Sequence, residues 1–258
     1  METRVCIIPA RMASSRFPGK PMAPLLGMPL ILHVWHRCRL AGAFDRILVA
    51  TCDREIADCV EQAGGEAVMT ADTHERCTDR VAEALEVVWD SFDPRGIVVM
   101  VQGDEVLVDP GALAEMPDII TQQGAAAVNL LSPIADPAEG DDVNVVKAAT
   151  ALDGRVVYLS RSPIPSRSRT PDVGMLQQTG VIAFTASFLE TFSRLQPTPL
   201  EIAESIDMLR LIEHGLPLYS VIGAAPTIGV DTESDRLAAE RALRDDPWTA
   251  QYLQPASV

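Results

Sequence analysis

Two arginines, a lysine and a glycine stand close together near the start of the chain, in the run PARMASSRFPGKP from Pro9 to Pro21. Arg11, Arg16 and Lys20 can neutralise a polyphosphate and stabilise the charge that grows on phosphoryl oxygens during transfer. Ser14 and Ser15 add hydroxyl donors, and Gly19 lets the backbone approach a ligand closely. No acidic residue occurs between Glu2 and Asp45, while the same stretch holds Arg4, Arg11, Arg16, Lys20, Arg37 and Arg39. The whole chain nevertheless has a net charge of -15. A positive island in an acidic protein suits a small polyanion such as a nucleoside triphosphate. A solvated basic loop is the competing reading. The chain has neither G-x-x-x-x-G-K-[ST] nor G-x-G-x-x-G, which argues against a Walker P-loop and against a nicotinamide-dependent oxidoreductase.

Three further groups of residues bear on the same chemistry. Asp104 and Glu105, in VQGDE, follow the apolar run GIVVMV at what reads as a strand's carboxyl end, where ligands gather in open α/β sheets. A carboxylate there suits Mg²⁺ bridging phosphates, though D-E after a strand also makes an ordinary turn. Asp231, in GVDT, precedes a helix; it is either a dipole-stabilising carboxylate or a second metal ligand that pairs with Asp104. Arg80 opens another helix and can point into the site from its first turn, or be solvated. Only two of the 21 basic residues are lysines, Lys20 and Lys147, so lysine is not used here as general surface filler.

The elements that must position these residues follow from hydrophobic periodicity. The first half alternates strands (Arg4–Pro9, Arg46–Ala50, Glu66–Met69, Gly96–Val101) with helices (Pro29–Leu40, Arg54–Ala63, Asp79–Trp89), and Asp109-Pro110 is a helix start. This order predicts a mainly parallel sheet covered by helices. In the second half strands are expected at Ala125–Leu131, Val143–Ala148, Arg155–Leu159, Gly180–Thr185 and Pro217–Ile222. Helices are expected at Glu201–His214 and Thr232–Leu243, and Arg161–Thr170 reads as a loop. The acidic balance argues against nucleic acid and anionic membrane partners. The five cysteines, with no C-x-x-C spacing, suggest neither disulfides nor zinc. With no signal-peptide pattern and no long apolar run, a cytoplasmic protein is expected.

A family resemblance rests on these motifs. IIPAR-x-x-SSRFPGKP, VQGDE, NVVK (144 to 147), LSR (159 to 161), ESIDMLR (204 to 210) and GVDT occur in the order found in the 3-deoxy-manno-octulosonate (KDO) cytidylyltransferases, the CMP-KDO synthetases. The resemblance runs from about residue 5 to about residue 240. It implies a Rossmann-like, nucleotide-diphospho-sugar-transferase-type α/β fold with a smaller dimerisation and acceptor lobe. The nucleotide-binding part would be about 1–125 plus 217–245, and the acceptor part about 126–216, within one cytidylyltransferase domain spanning 1–258. It further implies a homodimer, CTP as donor and Mg²⁺ as cofactor. Arg11, Ser14, Arg16, Lys20 and Arg80 would hold the nucleotide, and Asp104 and Asp231 the metal. Gln102, Arg161, Gln178 and Glu204 would serve the acceptor.

The chain also departs from that family's pattern. H-x-S-G-T-[DE]-R is here His74-Glu75-Arg76-Cys77-Thr78-Asp79-Arg80, and QGDEP ends in Val106. A-T-D has become Ala50-Thr51-Cys52, and H-x-G-x-Y is Gln178-Thr179-Gly180-Val181-Ile182. Met208 stands where a glutamine is common. Acceptor positions lose hydrogen-bonding capacity, while Arg76, Arg161, Arg167 and Arg169 could suit a carboxylate or phosphonate. The expected activity is transfer of CMP to an acidic acceptor with release of pyrophosphate. The acceptor is a KDO-like 2-keto sugar acid or a small phosphonate such as phosphonoformate; the alternative is a catalytically inactive nucleotide-binding or sensor protein.

Overall fold

The computed structural model describes residues 2–14, 16–74, 76–88 and 95–253. In chain order the elements are β1 (Arg4–Ala10), β2 (Pro24–Leu25), β3 (Met28–Pro29), α1 (Leu30–Leu40), β4 (Arg46–Thr51), α2 (Arg54–Gln62), β5 (Glu66–Met69), α3 (Cys77–Val88), β6 (Ile97–Val101) and α4 (Pro110–Gln123). The second half continues with β7 (Ala127–Pro133), β8 (Lys147–Thr150), β9 (Val156–Ser160), β10 (Leu176–Thr185), α5 (Ala186–Arg194), α6 (Pro199–Glu204), α7 (Leu209–Glu213), β11 (Leu218–Ile222) and α8 (Glu233–Asp245).

Seven strands pair in the order β11-β7-β10-β6-β1-β4-β5, and β8 and β9 extend the sheet from β10. Strands β6, β1, β4 and β5 are mutually parallel, and β10 runs antiparallel between β6 and β7. The expected mainly parallel α/β sheet is therefore present. Its central strands are unbroken apolar runs because both faces are covered. On β1, Cys6 and Ile8 join the core beneath α1 and α4, while Val5 and Ile7 join the opposite core with α3 and α5. On β6, Val99 and Val101 face one way and Val98 and Met100 the other. All eight of these side chains are buried in the sheet, and because β1, β4 and β6 are parallel their carboxyl ends lie at one rim.

Local chemistry sets the helix starts. Asp109 accepts from the Gly111 amide at 2.9 Å with Pro110 in the first turn, and α8 opens with a reciprocal Thr232–Asp235 capping box. The described part of α3 ends at Val88, so the expected end at Trp89 lies outside the described residues.

The second half corrects three expectations. The strand expected at Val143–Ala148 begins only at Lys147; residues before it form turns around the buried Lys147 ammonium. Helix α5, not anticipated, is capped by Thr185. The single helix expected at Glu201–His214 is two helices, α6 and α7, separated at Ser205, whose φ of 54° is left-handed. The cause is a buried ion pair: Arg210 Nε and Nη2 donate to Glu201 at 2.7 and 2.5 Å. On a continuous helix those residues would lie about 13.5 Å apart along the axis and on opposite faces, so the pair forms only if the chain folds back. The short β2–β3 hairpin was also unforeseen.

Candidate active site

The loop after β1 is a compact turn built on one carbonyl. Met12 O accepts from the amides of Ser14 at 2.9 Å and Gly19 at 3.0 Å. Gly19 has a φ of 74°, which a side chain would strain, and it starts a 3₁₀ turn at Lys20–Met22. The whole turn is tied to the neighbouring strand, because the Met12 amide donates to Asp53 Oδ2 at 2.8 Å. Asp53 follows the carboxyl end of β4 and was missed in the sequence; its position at that rim was the available signal.

Four charged side chains then converge. Lys20 Nζ lies 2.7 Å from Asp104 Oδ2 and 3.1 Å from Asp231 Oδ1, and Arg16 Nη2 lies 2.8 Å from Asp231 Oδ2. Asp104 comes from the turn after β6. Asp231 is brought beside it by the Val230 amide, which donates to Asp104 O at 3.2 Å, and is fixed by its own amide donating to Asp235 Oδ2 at 3.1 Å. Burial works to lower the Lys20 pKa, but the two carboxylates outweigh it and leave it raised, so the ammonium is firmly charged. Glu105 has a different place from its neighbour. It turns inward, accepting from the Gly180 amide at 2.6 Å and from Thr227 Oγ1 at 3.3 Å. Burial, with the charge of Asp104 added, pushes it up to about 7.

These groups face a cavity of about 300 Å³. Arg11, Ser14, Arg16 and Lys20 line one side, and Arg80, Gln102, Asp104 and Asp231 another. Arg11 is oriented by donating to His74 O at 3.0 Å. Arg80 is buried; its Nη1 donates to Thr70 Oγ1 and to Ala71 O, while its Nη2 is buried with no partner among the described residues. An unpaired guanidinium nitrogen of this kind calls for an acceptor from a ligand. Ser15 lies outside the described residues.

A second cavity of about 340 Å³ adjoins the first. Gln102, Arg161 and Gln178 line it, together with Ser205 and Asp207 from the break between α6 and α7. Gly180 makes room at its wall, since a Cβ there would fall 2.7 Å from the Gln102 side chain. Ile182 and Met208 supply its apolar part. Glu204 is not among the lining residues: its carboxylate accepts from Ser160 Oγ at 2.9 Å and from the Arg161 amide at 2.8 Å. The arginines expected to attract a small dianion are already engaged. Arg161 donates from its guanidinium to the carbonyls of Glu204, Val143 and Ser205, and Arg167 pairs with Asp141. Arg169 is exposed and lines neither cavity.

Asp104 and Asp231 also suit a divalent cation in their donor chemistry. Among the described residues no three His, Cys, Asp or Glu side chains gather as a metal cluster. Two carboxylates converging on one cationic point could hold a divalent cation such as Mg²⁺, which usually takes one or two carboxylates and completes its shell with other oxygens. Lys20 Nζ holds that point between them.

Similarity to known proteins covers most of the chain. A family model described as a cytidylyltransferase matches residues 5–220. The chain is similar to the 3-deoxy-manno-octulosonate cytidylyltransferases of Syntrophobacter fumaroxidans, 40% identical over 94% of this chain and 97% of that one, and of Myxococcus xanthus, 40% identical over 93% and 96%. A solved structure of CMP:2-keto-3-deoxy-manno-octonic acid synthetase complexed with CTP superposes with a TM-score of 0.86 at 31% identity, covering 94% of this chain and 99% of that one.

Proposed function

The chain belongs to the cytidylyltransferase family and is a nucleotidyltransferase, and from that premise we propose that it transfers CMP from CTP to a KDO-like 2-keto sugar acid. The observation that carries the reading is the adjacency of the two cavities. The charged one has the Arg16, Lys20, Asp104 and Asp231 cluster, and the other is polar with an apolar patch.

In this reading the triphosphate enters the first cavity and takes Arg11, Arg16 and Lys20 as its counter-charges, displacing the carboxylates that Arg16 and Lys20 hold and the His74 carbonyl that Arg11 holds. Mg²⁺ on Asp104 and Asp231 would neutralise phosphate charge and polarise the α-phosphoryl group. Arg80 Nη2 offers a donor to an acceptor atom of the base. The acceptor's hydroxyl oxygen attacks the α-phosphorus in line, forming a new P–O–C ester and breaking the bond to the β-phosphate oxygen. Pyrophosphate leaves with the electron pair of that bond, and the hydroxyl proton passes to water. Arg11, Arg16 and Lys20 stabilise the charge that collects on the leaving group. Thr78, Gln102, Gln178 and Ser205 supply hydrogen-bonding side chains to a polyhydroxylated acceptor, more than the losses at 178, 182 and 208 alone suggested. A phosphonate acceptor gains nothing from Arg161 and Arg167, whose guanidinium groups are occupied, and a non-catalytic binder gains nothing from the relatives.

A homodimer belongs to the same proposal. Val157 in β9 and Ile222 in β11 are more than half exposed and offer apolar surface to a second copy. All five cysteines are free thiols, which suits a reducing compartment such as the cytoplasm. No helix among the described residues is long and apolar enough to cross a membrane.

The test is pyrophosphate release from CTP with Mg²⁺ and a panel of acceptors. Turnover is expected with KDO and CTP, and at least about 100-fold less with UTP if the site reads the base by hydrogen bonds. Turnover of phosphonoformate in preference to KDO would overturn the acceptor assignment.

A further inference from the structure

Three residues, Arg76, Cys77 and Gln102, line both cavities and so mark where donor and acceptor meet. Gln102 is a neutral amide. Cys77 is neutral as well, since burial, aided by Asp104 and Asp207, pushes its thiol up to about 12. Among the described residues that line both cavities, Arg76 is the one full charge.

Its geometry leaves it available. Arg76 Nη1 pairs with Asp207, and lies 2.9 Å from Glu201 Oε1. No hydrogen bond to a described residue uses its Nε or Nη2, and the side chain is 35% exposed. Asp207 is itself steadied by Thr78, whose hydroxyl lies 3.5 Å away, and Glu201 is held by Arg210. The guanidinium is therefore fixed on one edge and open on the other. Arg161, the other arginine of the acceptor cavity, contrasts with it. All three of its nitrogens donate to backbone carbonyls, and it lines the acceptor cavity alone.

The chemistry of the acceptor selects between these two. In the ring form of a 2-keto sugar acid, the carbon bearing the attacking hydroxyl also bears the carboxylate. When that hydroxyl is aligned on the α-phosphorus, the carboxylate must sit at the junction too. Two anions are then brought together there, and a cation beside the carboxylate offsets part of their repulsion. We infer that Arg76 is the specificity-determining residue of this chain: its open edge receives the acceptor's carboxylate at the junction of the two cavities and sets the attacking hydroxyl toward the α-phosphate. This rests on the proposed 2-keto sugar acid reading. It also gives a purpose to Arg76 in a position where the resembling family has serine.

The test compares KDO with its carboxamide in the full-length protein, with CTP and Mg²⁺. The preference for acid over amide in kcat/KM is expected to be about 100-fold in the unsubstituted protein. In Arg76→Gln it should collapse to within about fivefold, with KM for CTP nearly unchanged, while Arg161→Gln keeps it. Arg76→Lys, which retains charge without the fork, should fall between. The ratio is internal to each variant, so partial unfolding scales both substrates equally and does not disturb it. An undiminished preference in Arg76→Gln, or its loss in Arg161→Gln alone, overturns the assignment to Arg76. Absence of KDO turnover in the unsubstituted protein instead overturns the acceptor reading from which the assignment starts.

Discussion

Lys20 and Lys147, the chain's only lysines, show how differently the two halves of the molecule use charge. Lys20 reaches two carboxylates at the rim of the donor cavity, where an incoming anion can exchange with them. Lys147 is fully buried, not on the surface, and donates to three backbone carbonyls, of Asp142, Val145 and Arg161, at 2.7, 2.6 and 2.5 Å. Burial lowers its pKa, yet the carbonyl cage keeps a donor necessary. Arg161 repeats the pattern with three carbonyls of its own. On the donor side cations hold movable partners and are available for chemistry. On the acceptor side most of them hold the backbone, shaping a pocket from irregular chain.

That contrast can be broken by experiment. The largest effect is expected for Lys20→Met: a loss of about 10³-fold in kcat/KM with the melting temperature within about 3 °C of the unsubstituted protein. Steady-state kinetics and a thermal melt decide it, and a large melt shift with intact turnover would assign Lys20 to structure instead. Lys147→Met should invert this, since three carbonyls lose their donor. About 3 kcal/mol of stability, or roughly 6–12 °C, should go, with kcat of the folded fraction little changed. Urea unfolding followed by activity per folded molecule checks it.

Asp53→Ala sharpens the donor side further. Its carboxylate makes no cap bond to α2, so its loss chiefly frees the Met12 amide and the turn carrying Arg11, Arg16 and Lys20. A fall of about 10- to 100-fold in kcat/KM is expected, with KM for CTP raised. Unchanged kinetics would show that the turn holds without this anchor.

The smallest effect concerns a region remote from both cavities. His36 stacks on Tyr252 with centroids 4.8 Å apart, and burial, with Arg39 and His33 adding, lowers its pKa to about 4. A depressed folded-state value means the fold favours the neutral ring. That stability is complete above the unfolded value of about 6.5 and is lost as pH falls through about 4. The ring is only half-buried, so the loss should be about 1–2 kcal/mol after solvent screening. His36→Phe, which keeps the stack, should flatten that part of the pH–stability curve in chemical denaturation.

Much of the donor site was legible in the residues. Arg11, Arg16 and Lys20 share one loop, and VQGDE follows a run whose five apolar residues could only be a buried strand. Asp53 was missed although its place after β4 was a signal, because a single aspartate after a strand looks like any helix cap. The acceptor side was harder still. The split between α6 and α7 depends on Glu201 finding Arg210, and the burial of Lys147 on carbonyls of loops that periodicity does not describe.

The sequence by itself determined the parallel sheet, the loop chemistry and the family, since apolar runs, helix caps and contiguous motifs act over short stretches of chain. Tertiary structure alone decided that Asp104 and Asp231, 127 residues apart in number, close on the same ammonium. It also decided that Arg76 stands between two cavities while Arg161 is tied to the backbone. The physical reason is that a charge's role depends on what it meets across the fold, and a residue's type does not specify that partner.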